Sequence, residues 1–311
     1  MGEIFDKRVL LTGVNGQVGR ALKRELQGSC ELITTSRTGD GADLSLDLAD
    51  HSRLKVRLLE LRPDIIINPA AYTAVDKAED ESEQAGVINA IAPGVMAQAC
   101  KDMGALLIHY STDYVFNGQS PRPYTEQDRV EPLNVYGETK LAGESAIEVA
   151  NCNHLIFRAC WVYDAEGRNF PNAILARARE MDELRVVNDQ FGTPTSAAFI
   201  ASITHGVLRQ LDAYDLDKGS RVFHLKPEGA CSWFEFAKEL VEIVGRDNSL
   251  KARNIEPVSS AEFPAKAKRP TFSVLDNSKL KAAFDLDIGR WEDYVEECFS
   301  SVATPKGRTN V

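Results

Sequence analysis

Short apolar runs and amphipathic stretches alternate along the first half of the chain. The runs are continuous rather than interrupted by polar residues, as in strands buried on both faces of a sheet. Predicted strands lie at 7–12, 31–35, 64–68, 106–111 and 154–158, with a short strand ending at Asp47-Leu48 and a late one at 222–225. Between them, apolar residues recur at helical spacing. Predicted helices lie at 18–26, 53–61, 83–103, 169–179, 196–210, 232–244 and 291–300, and another begins near Val135.

Strands that alternate with helices of this length indicate crossover connections, and such connections produce a parallel sheet. We therefore predict an α/β fold class, with a doubly wound, Rossmann-like parallel sheet. The second half of the pattern is less regular, which predicts a smaller C-terminal lobe that binds the substrate.

Three glycines separate the first predicted strand from the first predicted helix. Gly13, Gly16 and Gly19 give the spacing G-x-x-G-x-x-G. In such a loop the first glycine allows a tight turn, the second lets backbone N–H groups approach a pyrophosphate, and the third lets helix and strand pack closely. The alternative is a glycine-rich turn without a ligand. Because a strand and a helix flank the loop, we favour dinucleotide binding; the spacing resembles that of the short-chain dehydrogenase/reductase superfamily.

The residues after the second predicted strand bear on the choice of nicotinamide cofactor. Ser36-Arg37 stand where an acidic residue would hold the ribose of NAD. The cation of Arg37 suits a 2′-phosphate, which favours NADPH and leaves NADH possible; a solvated surface charge is the alternative. Asp47 and Leu48 resemble the contact to the adenine in that superfamily.

A phenol and an ammonium group stand four residues apart at Tyr136 and Lys140. On a helix this spacing puts both side chains on one face. We expect the lysine charge to lower the pKa of the phenol, so that Tyr136 serves as a proton donor. Taken alone the pair is a weak signal, because a surface tyrosine near a lysine is the usual explanation.

Ser111-Thr112-Asp113 end a predicted parallel strand, which is where ligands bind in open α/β sheets. A hydroxyl there can donate a hydrogen bond to a substrate carbonyl oxygen and stabilise its developing charge. The alternative is a loop in which these side chains cap backbone groups. The glycine loop, Thr112 and the Tyr136/Lys140 pair occur together in the right order along the chain and on the right predicted elements. This coincidence favours an active site.

Composition excludes several classes of function. With 36 basic and 46 acidic residues the net charge is −10, which argues against nucleic-acid binding. No apolar run approaches the ~20 residues of a membrane span, and acidic residues occupy the N-terminal stretch where a signal peptide would be basic. Six cysteines without a C-x-x-C pair are typical of reduced thiols rather than zinc ligands. We expect a cytoplasmic protein without membrane or nucleic-acid partners.

Longer motifs are spread over nearly the whole chain. They are Asn68–Glu79 (NPAAYTAVDKAE), Ser111–Phe116 (STDYVF) with Gly118, Pro132–Gly137 (PLNVYG), Arg158–Tyr163 (RACWVY), Asn188–Thr195 (NDQFGTPT), and Arg269-Pro270 followed by Ser273, Leu275 and Asp276. Together these motifs resemble the dTDP-4-dehydrorhamnose reductase family.

The resemblance implies transfer of a hydride from NADPH to C4 of a dTDP-linked 4-keto-6-deoxy sugar, which is the last step of dTDP-L-rhamnose synthesis. Tyr136 would donate the proton, Lys140 would tune it and hold the nicotinamide ribose, and Thr112 would bind the reacting oxygen with Asp113 beside it. Trp161 would pack against the sugar, with core packing as its alternative. Cofactor contacts would come from Gly13, Gly16, Gln17, Val18, Gly19, Arg37, Asp47, Leu48, Ala71, Tyr72, Thr73 and Tyr110. Further substrate contacts are hypothesised for Gln190 and Arg269.

The same resemblance suggests a division into domains. Residues 1–165 would form the dinucleotide-binding domain, with returning segments near 192–225 and 250–272. Residues 166–311 would mainly form the lobe that binds the sugar nucleotide.

Two positions depart from the family pattern. Some bacterial members bridge a dimer through a metal held by glutamates, and Ala21 and Ala198 stand at those places, so we predict no metal and leave monomer or homodimer open. Cys160 stands where the family usually has serine.

Three alternative functions stay open. A nucleotide-sugar dehydratase or epimerase is disfavoured, because dehydratases follow their catalytic threonine with an Asp-Glu pair rather than Asp113-Tyr114. A reductase of another nucleotide-linked 4-keto sugar is the second alternative. The third is a non-catalytic regulatory subunit of methionine adenosyltransferase, which the intact Thr112 and Trp161 disfavour.

Overall fold

The computed structural model describes residues 6–214, 216, 221–247 and 250–300. Its strands are β1 (Arg8–Leu11), β2 (Glu31–Ser36), β3 (Leu44–Ser45), β4 (Ile65–Asn68), β5 (Leu106–Thr112), β6 (Asn153–Ala159), β7 (Val162–Tyr163), β8 (Glu183–Val187), β9 (Phe191–Gly192), β10 (Thr195–Ser196), β11 (Val222–His224), β12 (Cys231–Ser232) and β13 (Asn254–Val258). Its α-helices are α1 (Gln17–Leu26), α2 (His51–Leu61), α3 (Val75–Ala78), α4 (Ser82–Gly86), α5 (Ala92–Met103), α6 (Val135–Ala150), α7 (Phe170–Glu180), α8 (Ala197–Leu208), α9 (Trp233–Val244), α10 (Ser278–Phe284) and α11 (Trp291–Phe299). A π-helical turn, Val87–Ile91, connects α4 to α5.

Within the described residues, seven strands form the central sheet in the order β11-β6-β5-β4-β1-β2-β3. Every pairing in this sheet is parallel. The chain runs outward from β1 through β2 and β3, then crosses to the other side of β1 and continues through β4, β5 and β6. This reversal is the switch point of a doubly wound fold. The predicted fold class is confirmed.

Helices cover both faces of the sheet because successive strand residues point to opposite sides. One hydrophobic cluster joins alternate strand positions to α1 and α8 (Leu11, Ile67, Ile108, Leu22, Ile200). A second cluster joins the intervening positions to α2, α5 and α6 (Leu10, Ile66, Leu107, Leu54, Met96, Ile147). The strand register therefore decides which helix each strand side chain meets.

A smaller lobe forms around the parallel pair β8–β13. The helices α7, α9 and α11 bury apolar side chains in its own cluster (Leu175, Phe236, Leu240, Val295). Between the lobe's elements the chain returns to the large domain, where β11 pairs with β6 and α8 packs against α1. The division at residue 165 stays a prediction, and the part of its second range beyond residue 300 lies outside the described residues.

Two predicted elements differ in form from the sequence-based prediction, and the strands β7, β8, β9, β10, β12 and β13 and the helices α3 and α10 were not predicted. The single helix expected at 83–103 is α4, the π-helical turn and α5 in succession. Apolar spacing does not reveal the extra residue of a π turn, because the buried face continues through it. The third strand, β3, has two residues and ends before Asp47. The Asp47 carboxylate instead accepts a hydrogen bond from the Ala49 N–H at 3.0 Å, in the turn that leads to α2.

Candidate active site

A cleft of about 610 Å³ lies at the carboxyl ends of the central strands, at the switch point between β1 and β4. The glycine loop lies on one side of the cleft and the first residues of α6 on the other. Residues from the smaller lobe, among them Phe170 and Trp233, also line it. This is where doubly wound folds bind dinucleotides.

The glycine loop has the geometry that its spacing predicts. Gly13 adopts a positive φ of 59°, which a residue with a side chain rarely does. A Cβ on Gly19 would lie 2.1 Å from the Gly13 carbonyl oxygen, so α1 packs this closely only because the residue is glycine. Gly16 caps α1 without a side-chain hydrogen bond. The N–H groups of the first helical turn are thus available to an anion such as a pyrophosphate.

Gln17 connects this loop to the smaller lobe. Its Oε1 accepts a hydrogen bond from Asn169 Nδ2 at 2.7 Å, and its Nε2 lies 3.5 Å from the Val162 carbonyl oxygen. Asn169 also caps α7, because its side chain accepts a hydrogen bond from the Asn172 N–H. The side chain of Gln17 is therefore engaged with the lobe, and Val18 lines the cleft beside it.

Thr112, Tyr136 and Lys140 converge on the cleft. The side chain of Asn134 accepts a hydrogen bond from the Gly137 N–H and starts α6, so that Tyr136 and Lys140 follow one helical turn apart. Thr112 ends β5 and its hydroxyl donates to Asp113, close enough to the Tyr136 phenol to lower the pKa of that phenol. Two hydroxyl groups and one ammonium group therefore meet at one edge of the sheet.

Burial shifts the pKa values of both ionisable groups in this trio. Desolvation raises the pKa of Tyr136 to about 12; the Thr112 hydrogen bond lowers it and the charge of Asp113 raises it. The expected lowering of the Tyr136 pKa by the charge of Lys140 is not found, and desolvation by burial is the largest cause of its shift. Burial lowers the pKa of Lys140 to about 8, against the opposing charge of Glu144.

Asp113 is buried directly behind Thr112. It accepts hydrogen bonds from the Thr112 hydroxyl at 3.0 Å and from the Cys160 thiol at 3.2 Å. Desolvation raises the pKa of Asp113 to about 6, although hydrogen bonds from Ser273, Cys160 and Thr112 lower it. Cys160 also accepts a hydrogen bond from the Thr193 N–H at 3.3 Å, so the thiol links two loops of the site.

Trp161 lines the cleft with its backbone in the left-handed region, at φ 45°. Its ring stacks on Trp233, with centroids 3.5 Å apart and an interplanar angle of 9°. Phe170 packs against Trp233 in turn, at 4.5 Å between centroids. Sequence reasoning missed Trp233 and Phe170, because no local pattern relates them to Trp161.

Other predicted site residues are distributed around this centre. Ala71, Thr73 and Tyr110 line the cleft, although the Tyr110 hydroxyl turns away and forms a hydrogen bond with Thr204 at 2.7 Å. Arg37 is exposed at the end of β2, beside the glycine loop. Arg37 and the remaining predicted residues, Tyr72, Asp47, Leu48, Gln190 and Arg269, are not among those that line the cleft.

Two of these side chains have partners within the protein. The Tyr72 hydroxyl donates to Glu81 at 2.5 Å, and Arg269 pairs with Asp76 at 2.7 Å. Sequence reasoning also missed Arg168, an exposed cation that lines the cleft just before α7. The Asn that follows it and caps α7 is a local signal that could have drawn attention to this loop.

Two other features are absent from the part of the chain that the structure describes. No helix in these ranges is long and apolar enough to cross a membrane. No three His, Cys, Asp or Glu side chains in the same ranges lie together as a metal site. Ala21 is buried in α1 and Ala198 is exposed on α8.

Comparison with known proteins gives consistent matches. The family model described as the RmlD substrate binding domain matches residues 7–304. The dTDP-4-dehydrorhamnose reductase of Escherichia coli K12 is 39% identical over 298 residues, which are 95% of this chain and 98% of that protein.

Two solved structures of dTDP-4-dehydrorhamnose reductases superpose closely. The protein from Clostridium acetobutylicum has a TM-score of 0.85 and 36% identity, covering 95% of this chain and 99% of its own. The protein from Bacillus anthracis, solved in complex with NADP, has a TM-score of 0.85 and 35% identity, covering 96% of this chain and 100% of its own. On the sequence matches and the shared fold, the chain belongs to the dTDP-4-dehydrorhamnose reductase family.

Proposed function

We propose that this protein reduces the C4 keto group of dTDP-4-dehydro-L-rhamnose to give dTDP-L-rhamnose, with NADPH as the reductant. The observation that carries the proposal is that Thr112, Tyr136 and Lys140 converge on one cleft. The glycine loop, whose spacing is typical of dinucleotide binding, lines the same cleft. Relatives that cover almost the whole chain have this activity in their names.

The cleft fits a dinucleotide by its own geometry. The uncapped N-terminus of α1 is suited to the pyrophosphate, and the close approach of Gly19 to Gly13 leaves no room for a side chain there. Arg37 is exposed beside the loop, where its cation suits the 2′-phosphate of NADPH; NADH stays possible. When bound, the nicotinamide supplies the hydride.

Tyr136 acts as the general acid in this scheme. Because burial raises its pKa to about 12, the phenol stays protonated at neutral pH and can give its proton to the oxygen at C4 as negative charge develops there. The hydroxyl of Thr112, which already touches the phenol, binds the same oxygen. Lys140 holds the nicotinamide ribose and supplies positive charge one helical turn away.

The sugar lies against the aromatic wall on the lobe side. The stacked rings of Trp161 and Trp233 provide a flat apolar surface for the side of the sugar that carries the C6 methyl group. Asp113 orients Thr112 by accepting a hydrogen bond from its hydroxyl. Arg168, an exposed cation of the cleft, is suited to the diphosphate. Gln190 and Arg269 stay hypotheses for substrate contacts, and Ala71, Tyr72, Thr73 and Tyr110 stay hypotheses for cofactor contacts.

The remaining expectations are part of the same proposal. We expect a cytoplasmic enzyme that acts as a monomer or homodimer, without a nucleic-acid partner and without the metal bridge of some relatives.

A co-substrate assay tests the function directly. Purified protein is mixed with NADPH or NADH and with dTDP- or UDP-linked 4-keto-6-deoxy sugars, and loss of nicotinamide absorbance is followed. We expect oxidation only when a keto sugar is present, fastest with the dTDP sugar and NADPH. Binding of NADPH without oxidation, with every sugar tested, would contradict the proposal and favour a non-catalytic regulatory subunit.

A further inference from the structure

A row of buried polar side chains crosses the three strands beneath the catalytic lysine. Asn68 on β4 and His109 on β5 are paired in register, and Thr12 directly follows β1. Each of the three stands two positions after an apolar strand residue that packs on the face covered by α5 and α6, namely Leu10, Ile66 and Leu107. Because side chains two positions apart point to the same side of a sheet, all three polar residues lie on that face. Each of the three is at most 1% exposed. Polar groups this deep in a core require partners.

The row ends on Lys140. The Thr12 hydroxyl donates to Asn68 Oδ1 at 2.6 Å, and Asn68 Nδ2 lies 3.1 Å from His109 Nδ1. His109 Nε2 lies 3.2 Å from Lys140 Nζ, which also donates to the Tyr110 carbonyl oxygen at 2.6 Å. His109 therefore touches the lysine with one ring nitrogen and the asparagine with the other.

The proton count along this row has two solutions. An ammonium group on Lys140 needs an unprotonated Nε2, which places the ring hydrogen on Nδ1. The Asn68 amide is then turned so that its Oδ1 accepts from His109 Nδ1 and its Nδ2 donates to the Thr12 hydroxyl oxygen. The two ends of an amide have the same shape, so this rotation costs no space. The other solution puts the hydrogen on Nε2 and makes Lys140 a neutral amine. A doubly protonated ring fits neither, and both burial and the Lys140 charge push the pKa of His109 well below its ordinary value.

We propose that His109 is a positioning residue for Lys140: its neutral ring, with the hydrogen on Nδ1, accepts a hydrogen bond from the lysine ammonium and fixes where that group points. An ammonium group has three N–H bonds. His109 Nε2 and the Tyr110 carbonyl oxygen take two of them, and the third is directed by geometry into the cleft. The statement that the cofactor ribose accepts from this third N–H rests on the proposed function. The tautomer of the His109 ring does not depend on that function.

Other charged groups surround the pair. Glu144, one turn further along α6, attracts the Lys140 charge but is itself held by Arg158 in a buried ion pair at 2.6 Å. Tyr136 lies on the cleft side, and the charge of Asp113, which directly follows β5, raises the pKa of Tyr136. The charge of Glu144 is balanced by Arg158 in that ion pair. The groups in direct hydrogen-bond contact with the Lys140 ammonium are His109 and the Tyr110 carbonyl oxygen.

Two substitutions at one position separate this role from a structural one. His109→Gln carries its amide to the place of Nε2 and can still accept from Lys140. His109→Asn ends near Nδ1, keeps the Asn68 contact and leaves Lys140 with the Tyr110 carbonyl oxygen alone. Both replacements are polar and smaller than histidine. We expect His109→Gln to keep kcat/KM for NADPH close to that of the wild type, and His109→Asn to lose ~10- to 100-fold, the effect of one buried charged hydrogen bond. Equal losses in two folded variants would overturn the proposal.

Ring-nitrogen NMR of the cofactor-free protein provides the readout that does not depend on turnover. The signals of His109 are those missing from the His109→Gln spectrum, which separates them from the other histidines. We expect a protonated Nδ1 and a bare Nε2 at neutral pH; a protonated Nε2 would overturn the proposal. If the protein reduced no sugar at all, this measurement would still decide the role of His109. Failure of the His109 proposal and failure of the proposed function are therefore distinguishable.

Discussion

At the residue scale, burial drives the two ionisable groups of the trio towards their neutral forms. The pKa of Tyr136 rises to about 12 and that of Lys140 falls to about 8. For a reduction this is favourable on the tyrosine side, because a general acid must hold its proton until the oxygen at C4 becomes basic. For Lys140 the lowered pKa weakens the positive charge that the proposal needs. Hydrogen bonds that the ammonium donates to His109 and to the Tyr110 carbonyl oxygen favour the charged form.

Replacing the phenol tests the assigned acid. Tyr136→Phe removes the proton donor and leaves the ring, so we expect turnover to fall at least ~100-fold while NADPH binds as before. Steady-state assays and a fluorescence titration of NADPH measure the two effects. Tyr294→Phe, which removes a hydroxyl that accepts from the Gly289 N–H and does not line the cleft, is the matched control. Near-normal turnover in Tyr136→Phe would refute the role.

At the element scale, α6 is positioned by a close approach to the segment before α5. A Cβ on Gly143 would lie 2.1 Å from the carbonyl oxygen of Asn89, within the π-helical turn. Asn89 in turn donates to the Thr139 hydroxyl at 3.2 Å and pairs with the backbone of Tyr72. The helix that carries Tyr136 and Lys140 is therefore fixed by backbone contacts that only glycine permits.

Gly143→Ala should separate these segments. Since the added methyl meets backbone rather than a flexible side chain, we expect a loss of about 1–3 kcal/mol in the free energy of unfolding, together with reduced activity. In Gly86→Ala the methyl meets nothing within 4 Å, so the helix should gain up to about 1 kcal/mol. Urea denaturation of both variants measures the difference; equal stabilities would contradict the account of α6.

At the scale of the whole molecule, buried neutral histidines make stability depend on pH. Burial lowers the pKa of His109, His154 and His224, the last to about 3. In the unfolded chain these rings titrate near about 6.5. Their contribution to stability is therefore complete above that pH and is lost as the pH falls towards the folded values.

Acid unfolding checks this sign. We expect the free energy of unfolding, measured with urea, to fall steadily as the pH is lowered from neutrality to about 4. Asp113 acts in the opposite direction, because its raised pKa of about 6 means that acidification relieves the cost of burying its charge. Asp113→Asn should therefore show the steeper decline. A stability that is flat over this range in both proteins would contradict the buried, neutral state of the rings.

Local spacing accounts for what the sequence could reveal about this molecule. The glycine loop and the Tyr136/Lys140 pair each lie within one turn or one helix, so their geometry follows from the chain itself. The His109 contact to Lys140 depends on how β4, β5 and α6 assemble, and the Trp161 stack on Trp233 joins the turn between β6 and β7 to the first residue of α9. Arg269 pairs with Asp76 across 193 positions of sequence. Such contacts follow from packing and register, which no local pattern encodes.

Direct hydride delivery to the sugar is the central claim, and isotope transfer tests it most directly. The protein is incubated with dTDP-4-dehydro-L-rhamnose and NADPH in which both hydrogens at C4 of the nicotinamide are deuterium, and the sugar product is analysed by NMR. We predict dTDP-L-rhamnose with deuterium at C4 of the sugar, matching the NADPH consumed, and almost no product from Tyr136→Phe under the same conditions. Product without deuterium at that carbon, or no product from the wild-type protein, would contradict the account.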